Sequence, residues 1–281
     1  MLHESNSWGI IISNVASDAQ PSATPGTAIT PGNNTYPAYV EILPNTSDDT
    51  YLLEVYFYGL GASAVARDGI CTLGFDFSGG TTYTDMTISD LACGNCCPSL
   101  SGLGVGYRFP IKVPAGTAIA AKCSVNNATV GTLYVVVTLW GKPVRPELVR
   151  AGSFVRTFGA VTATSKGTDY TAGTASEGTY TASLGTTVDD LWAWESGVCV
   201  NDSTFGGGSD YIDVATSDDG GTTKRLVIQN MITFCGSTEF INKGPALSYA
   251  EIKTGATIYV RGRNGGGVNS GTSAIVYGVG G

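Results

Sequence analysis

The chain repeats itself. Beside the residue 141 positions farther on, Tyr39 meets Tyr180, Asp48-Asp49 meets Asp189-Asp190, Tyr51 meets Trp192 and Glu54 meets Glu195. Gly79-Gly80-Thr81-Thr82 meets Gly220-Gly221-Thr222-Thr223. Farther along the offset drifts by a residue or two, as loop insertions allow. Cys93-Gly94 then matches Cys235-Gly236, Ala115-Gly116-Thr117-Ala118-Ile119 matches Thr254-Gly255-Ala256-Thr257-Ile258, Lys122 falls near Arg261, and Gly131-Thr132 matches Gly271-Thr272. A period this long is a whole domain copied, not a single hairpin or helix pair. A 281-residue chain has room for two such domains.

Each copy reads as β. Tyr51 to Tyr58 is apolar nearly throughout, the pattern of a central strand buried on both faces, and Thr84 to Leu91 alternates with Met86 and Ile88 inward. Lys224 to Met231 is its counterpart. Gly79-Gly80 and Gly220-Gly221 sit between strand runs, where a tight hairpin requires positive φ. Ala115-Gly116-Thr117 and Thr254-Gly255-Ala256 mark another turn. With 39 glycines the composition favours short strands and sharp turns. Seven or eight strands in each half suit a β-sandwich. The copies are long for an immunoglobulin-like domain and their Cys and Trp spacing does not fit one, so a jelly roll is preferred. The fold class expected is all-β: two tandem jelly-roll-like sandwiches related by duplication. The expected bounds are 1–140 and 152–281. Between them runs the linker 141–151, whose Pro143 and Pro146 cannot donate to a sheet ladder.

Charged residues make up only 14% of the chain, against roughly a quarter in ordinary soluble domains. A surface with so few charges suits a protein covered by copies of itself or by partners. The net charge of −8 argues against a nucleic-acid partner, because phosphate binding needs a basic patch, and Lys224-Arg225 and Arg261-Gly262-Arg263 are too small to supply one. Residues 1–6 lack the basic and apolar regions of a secretory signal, and the longest apolar runs are too short for a bilayer. The reading is a chain made in a cytoplasm, without membrane insertion.

The single histidine, His3, stands in a peripheral segment, which speaks against histidine-based nucleophilic catalysis. Asp48-Asp49 and Asp189-Asp190 are the carboxylate pairs that glycoside chemistry would need, but adjacent residues in a strand point to opposite faces, and a turn role explains both. Asp76, Asp85, Asp90, Asp218 and Asp219 invite a calcium reading, and Thr216-Ser217-Asp218-Asp219-Gly220-Gly221 comes nearest to a calcium loop. A hairpin turn accounts for it equally. Cys93, Cys96 and Cys97 resemble half of a zinc knuckle without a second pair. Packed thiols are the default for the seven cysteines, with disulfides and metal as alternatives. Trp192 and Trp194 alternate, which fits either a sugar platform or a core face. No catalytic or cofactor-binding residue is assigned, no cofactor is expected, and the chain is read as not an enzyme.

Tyr107 to Lys122 followed by Val125 to Leu133, and Arg67 to Asp76 with Gly79 to Tyr83, resemble structural proteins of tailed-bacteriophage virions. The resemblance covers the first copy well and the second weakly. It implies a place in a virion, as head decoration or cement or as a tail, collar or fibre component. The partners it implies are other virion proteins and further copies of this chain. A module recognising a host surface glycan is the alternative function, and a glycan-cleaving enzyme the third.

Overall fold

The computed structural model describes residues 11–15, 26–59, 69–93, 105–125, 131–141, 150–159, 167–174, 176–180, 182–200, 208–235, 241–242, 247–264 and 272–281. Strands dominate, and no helix occurs among the described residues. No helix of these residues is long and apolar enough to cross a membrane.

The first half contributes β1 (Ile11–Ser13), β2 (Thr27–Ile29), β3 (Gly32–Asn33), β4 (Val40–Leu43), β5 (Thr50–Gly59), β6 (Gly69–Asp76), β7 (Met86–Ala92), β8 (Val105–Phe109), β9 (Ala118–Val125) and β10 (Leu133–Gly141). One sheet has the order β1-β10-β5-β8, with β2 also paired to β10. The other has the order β3-β9-β6-β7, with β4 also paired to β9. If β1/β2 and β3/β4 are each counted once, the first, eighth, third and sixth strands make one sheet. The second, seventh, fourth and fifth make the other. This is the winding of a jelly roll.

The second half repeats it with β11 (Phe154–Phe158), β12 (Thr168–Tyr170), β13 (Ala182–Thr186), β14 (Leu191–Val200), β15 (Gly208–Ser217), β16 (Arg225–Cys235), β17 (Ile241–Asn242), β18 (Ser248–Ile252), β19 (Thr257–Asn264) and β20 (Thr272–Gly280). Its sheets run β11-β20-β14-β18, with β12 also on β20, and β13-β19-β15-β16-β17. The parallel pairing of Gly32 with Ser124 returns as the bridge between Gly173 and Arg263. Even an irregularity is copied. A bulge in β7 puts Asp90 at φ 58°, and a bulge in β16 puts Asn230 at φ 50°. The register corrects one match. Ala92 faces Ile70 and Ile232 faces Tyr211, so the offset in this strand is 140, and Cys93 does not correspond to Cys235.

Burial follows strand position. β6, flanked by β9 and β7, is buried at all eight residues. β10 alternates, with Leu133, Val135, Val137 and Leu139 inward and Tyr134, Val136, Thr138 and Trp140 half-exposed. Its counterpart β20 is buried from Ser273 to Gly280, on both faces. The reason is that the second half turns the outer face of its β20 sheet onto the first half. One apolar cluster accordingly joins the first core to Val155, Trp192, Ala193, Ile275, Tyr277 and Val279, while a second fills the interior of the second sandwich.

Candidate functional site at the junction of the two halves

A jelly roll leaves β7 and β8 as open edges, and unpaired edge groups must find partners. Cross-strand register places Val155 and Thr157 of β11, Ala193, Glu195 and Gly197 of β14, and Ile275, Tyr277 and Val279 of β20 on one face. This face meets that edge. Tyr277 Oη donates to Asp90 O at 2.9 Å and accepts from Ala92 N at 2.8 Å. Thr157 Oγ1 donates to Ser89 O, and Arg108 N donates to Glu195 Oε1 at 3.0 Å. Gly152 closes the far end, donating to Pro110 O and accepting from Lys112 N, both at 2.8 Å. The Tyr277 ring stands edge-on to Tyr107 and Phe109, with centroids 5.3 and 6.0 Å away. Gly197 makes the approach possible, because a Cβ there would lie 2.5 Å from Tyr107 Oη and 2.8 Å from Ala92 Cβ.

Beside the contact, residues of β7 and β11 line a cleft of about 430 Å³. The first half lines it with Asp85, Thr87, Ser89 and Asp90, and the second with Ser153, Phe154, Arg156 and Thr157. Asp90 Oδ1 accepts from Tyr36 Oη at 2.5 Å. Burial pushes the Asp90 carboxyl above its ordinary range, against the pull of the Tyr36 hydroxyl and the Lys122 charge. Asp85 Oδ2 accepts from Phe77 N at 2.7 Å. The Arg156 guanidinium lies over the Phe154 ring and bonds Asp189. Hydroxyls, carboxylates and one guanidinium in a groove this size can hydrogen-bond a polyhydroxylated ligand.

The adjacent carboxylates serve turns. Asp49 Oδ1 accepts from Ala115 N and Asp190 Oδ1 from Thr254 N, so each ties the start of its long central strand to the turn before β9 or β19. Lys112 pairs with Asp49, Lys253 with Asp190, and Ser47 bonds Asp48. Thr46 and Thr187 repeat a further bond there, accepting through Oγ1 from Thr117 N and Ala256 N, both at 3.0 Å. Two of the calcium candidates are likewise engaged in turns. Asp76 takes Ser78 and Thr82 amides, and Asp219 takes Ser217 Oγ and Thr223 N.

Of the zinc-knuckle residues, Cys93 is buried with its sulfur 3.7 Å from Cys123 Sγ, while Cys96 and Cys97 lie outside the described residues, as does His3. No group of three or more metal-ligating side chains occurs among the described residues. Burial raises the Cys71 thiol well above its usual value, with Cys93 adding to it. Trp194 is fully buried in the second core and donates to Ala250 O. Trp192 is buried in the other cluster, beneath Tyr249 and Arg150, because a bulge separates the two indoles. The residues of the junction itself, Tyr277, Gly197 and Thr157, carry no sequence signal. Only Glu195 does, through its repeat at Glu54.

No protein-family model matches the chain, and no curated protein matches it. Among solved structures it is similar to N-glycanase F, with 10% identity over 96% of both chains and a TM-score of 0.39. It is also similar to the tandem CBM22-1–CBM22-2 domain of Paenibacillus barcinonensis Xyn10C, with 11% identity over 96% of this chain and 90% of that one and a TM-score of 0.24. A chain of the infectious bursal disease virus particle has 10% identity over 90% of this chain and 67% of that one, with a TM-score of 0.25. These likenesses carry no argument about substrate or partner. One expectation is nonetheless corrected: the proteins this chain is similar to include an enzyme, N-glycanase F, so the reading of the chain as not an enzyme is withdrawn. The missing histidine bore on one kind of catalysis only. Asp85 and Asp90, read from the sequence as calcium candidates, both line the cleft.

Proposed function

We propose that this chain is a structural component of a tailed-phage virion, assembling with itself and with neighbouring virion proteins as a head decoration or as a tail, collar or fibre component. The observation that carries the reading is the junction. Two jelly rolls are locked by a buried, hydrogen-bonded contact into one block, which suits a building unit better than a pair of independently moving modules. The sequence stretch that resembles virion proteins, Tyr107 to Lys122, supplies the last three residues of β8 and the first five of β9, and β8 is one of the edges the junction covers. The decisive experiment locates the chain in purified particles by labelled antibody under electron microscopy, and adds purified chain to particles lacking it. Label at a fixed position and saturable rebinding are expected. Particles without the chain that also fail to bind it would sink the reading.

The polar cleft favours a second reading, recognition of a host surface glycan. Hydroxyl-bearing walls with Asp85, Asp90 and Arg156 match the hydrogen-bonding demands of a sugar. A glycan array decides it. Binding abolished by Arg156→Ala is expected on this reading, and a blank array speaks for assembly alone.

A further inference from the structure

The contact inside the molecule is a face laid on an edge, and duplication leaves each molecule with one more of both. The second half uses its β11-β20-β14-β18 face to cover β7 and β8. The corresponding face of the first half, on β10 and β5, has no such cover among the described residues: the outward side chains of β10 remain half-exposed where those of β20 are buried. At the other end, β16 and β18 stand where β7 and β8 stand in the first half.

We propose that the outer face of β10 and β5 docks the β16 and β18 edge of a second copy of this chain, repeating between molecules the contact that joins the two halves within one. The inference rests on the assembly reading above and names its partner. Three observations carry it. The face has the right composition, since Tyr56, Val136 and Trp140 make it apolar and the buried Glu54 stands at the place of Glu195. Glu54 is also paired with Arg108 and accepts a hydrogen bond from Trp140 Nε1, so no lone charge would enter the contact. This end carries the apolar groups that a partner would cover, since β17 pairs with β16 only at Phe234 and Cys235: of six large hydrophobic side chains exposed among the described residues, Leu226, Ile232 and Tyr249 lie on β16 and β18, at 40%, 45% and 66% exposure. Their places in the first half are also those of the junction. Register sets Ile232 where Ala92 stands, packed against Gly197, and Tyr249 where Pro110 stands, bonded to Gly152. Leu226 takes the place of Thr87 on the cleft wall.

A face that fits an edge is a heterologous contact. It closes a ring if the rotation per molecule permits and otherwise extends a filament. The test uses two variants of the full chain: an edge variant, Ile232→Glu with Tyr249→Glu, and a face variant, Val136→Glu with Thr138→Arg. Light scattering on a sizing column should give an oligomer for the wild type at micromolar concentration and a monomer for either variant. Their equimolar mixture should give a one-to-one dimer, because each supplies the surface the other lacks. Circular dichroism melts confirm folding. Tyr249→Glu alone, on a side chain largely in solvent, replaces the edge variant should that one not fold. A wild type that stays monomeric overturns the proposal, and so does an oligomer whose two variants fail to pair when mixed. Rebinding to particles by a monomeric wild type would leave the virion reading standing without it, whereas self-association without particle binding does the reverse. Glycan binding lost in the face variant and kept in the edge variant, with a monomeric wild type, would assign the face to sugar and overturn the proposal.

Discussion

Asp90 shows how one residue can be placed against its own chemistry. It occupies left-handed backbone at φ 58°, a conformation asparagine tolerates well, and burial raises its pKa. The second copy has Asn230 at the same bulge, at φ 50°. A carboxyl whose folded pKa is raised adds stability at low pH and loses it as pH rises through that value. Asp90→Asn is therefore expected to be neutral or stabilising at pH 7 and to flatten the fall in stability between acid and neutral pH. A urea titration showing a loss above about 1 kcal/mol would contradict this, since one neutral hydrogen bond is worth about that much. Asp76 and Asp219 behave oppositely. The Ser78 hydroxyl and turn amides hold Asp76 at about 2, below its ordinary 3.8, and the Ser217 hydroxyl with turn amides lowers Asp219 further. Their contribution is present above the unfolded value and lost as pH falls through the folded one. Melting temperatures measured from pH 5 to pH 2 should therefore fall, and should fall less in the Asp76→Asn, Asp219→Asn double variant.

At the scale of elements, the turns were legible and the junction was not. Asp49 and Asp190 bond the turns of Gly116 and Gly255 in the same way, so selection on local geometry kept the two copies alike there, and the repeat could be read from them. Gly116 and Gly255 adopt φ 87° and 91°. A side chain at Gly255 would meet nothing within 4 Å, so Gly255→Ala should lose only the conformational term, about 1 kcal/mol. Gly197→Ala, whose methyl would enter the space of Tyr107 and Ala92, should lose more, about 1–3 kcal/mol from overpacking. Chemical denaturation of both variants checks the order. The junction was hidden because, apart from Glu195, the residues that make it are ones in which the copies differ. Tyr277 stands at the place of Thr138 and Gly197 at that of Tyr56. Alternation also misled at Trp192 and Trp194, because the bulge between Leu191 and Ala193 breaks the period of two. The cleft joins residues some 65 positions apart in sequence, such as Asp90 and Arg156, which no spacing rule connects.

The whole molecule is two sandwiches, the core of the first continuing onto the outer face of the second, and we propose residues 1–140 and 152–281 as its two folding units. Tyr277→Phe tests how strongly they are coupled. It removes the hydroxyl that serves both Asp90 O and Ala92 N, leaving buried backbone groups without that partner at a cost of about 1–3 kcal/mol. The wild type is expected to unfold in one transition. The variant is expected to lose stability and to separate into two transitions in urea, followed by Tyr and Trp fluorescence. A single unshifted transition would mean that the tyrosine hydroxyl contributes nothing to the coupling.

The one-sided burial of β10 beside the two-sided burial of β20 also leaves a mark on inheritance. After a duplication both copies drift, but a substitution in β20 is screened by two neighbourhoods and one in β10 by a single core. Outward positions of β10 are then free to wander among descendants, toward lysine or glutamate as readily as toward valine, while Ile275, Tyr277 and Val279 hold still. If Tyr134, Val136, Thr138 and Trp140 prove as slow to change as their counterparts in β20, that restraint is itself the trace of a neighbour.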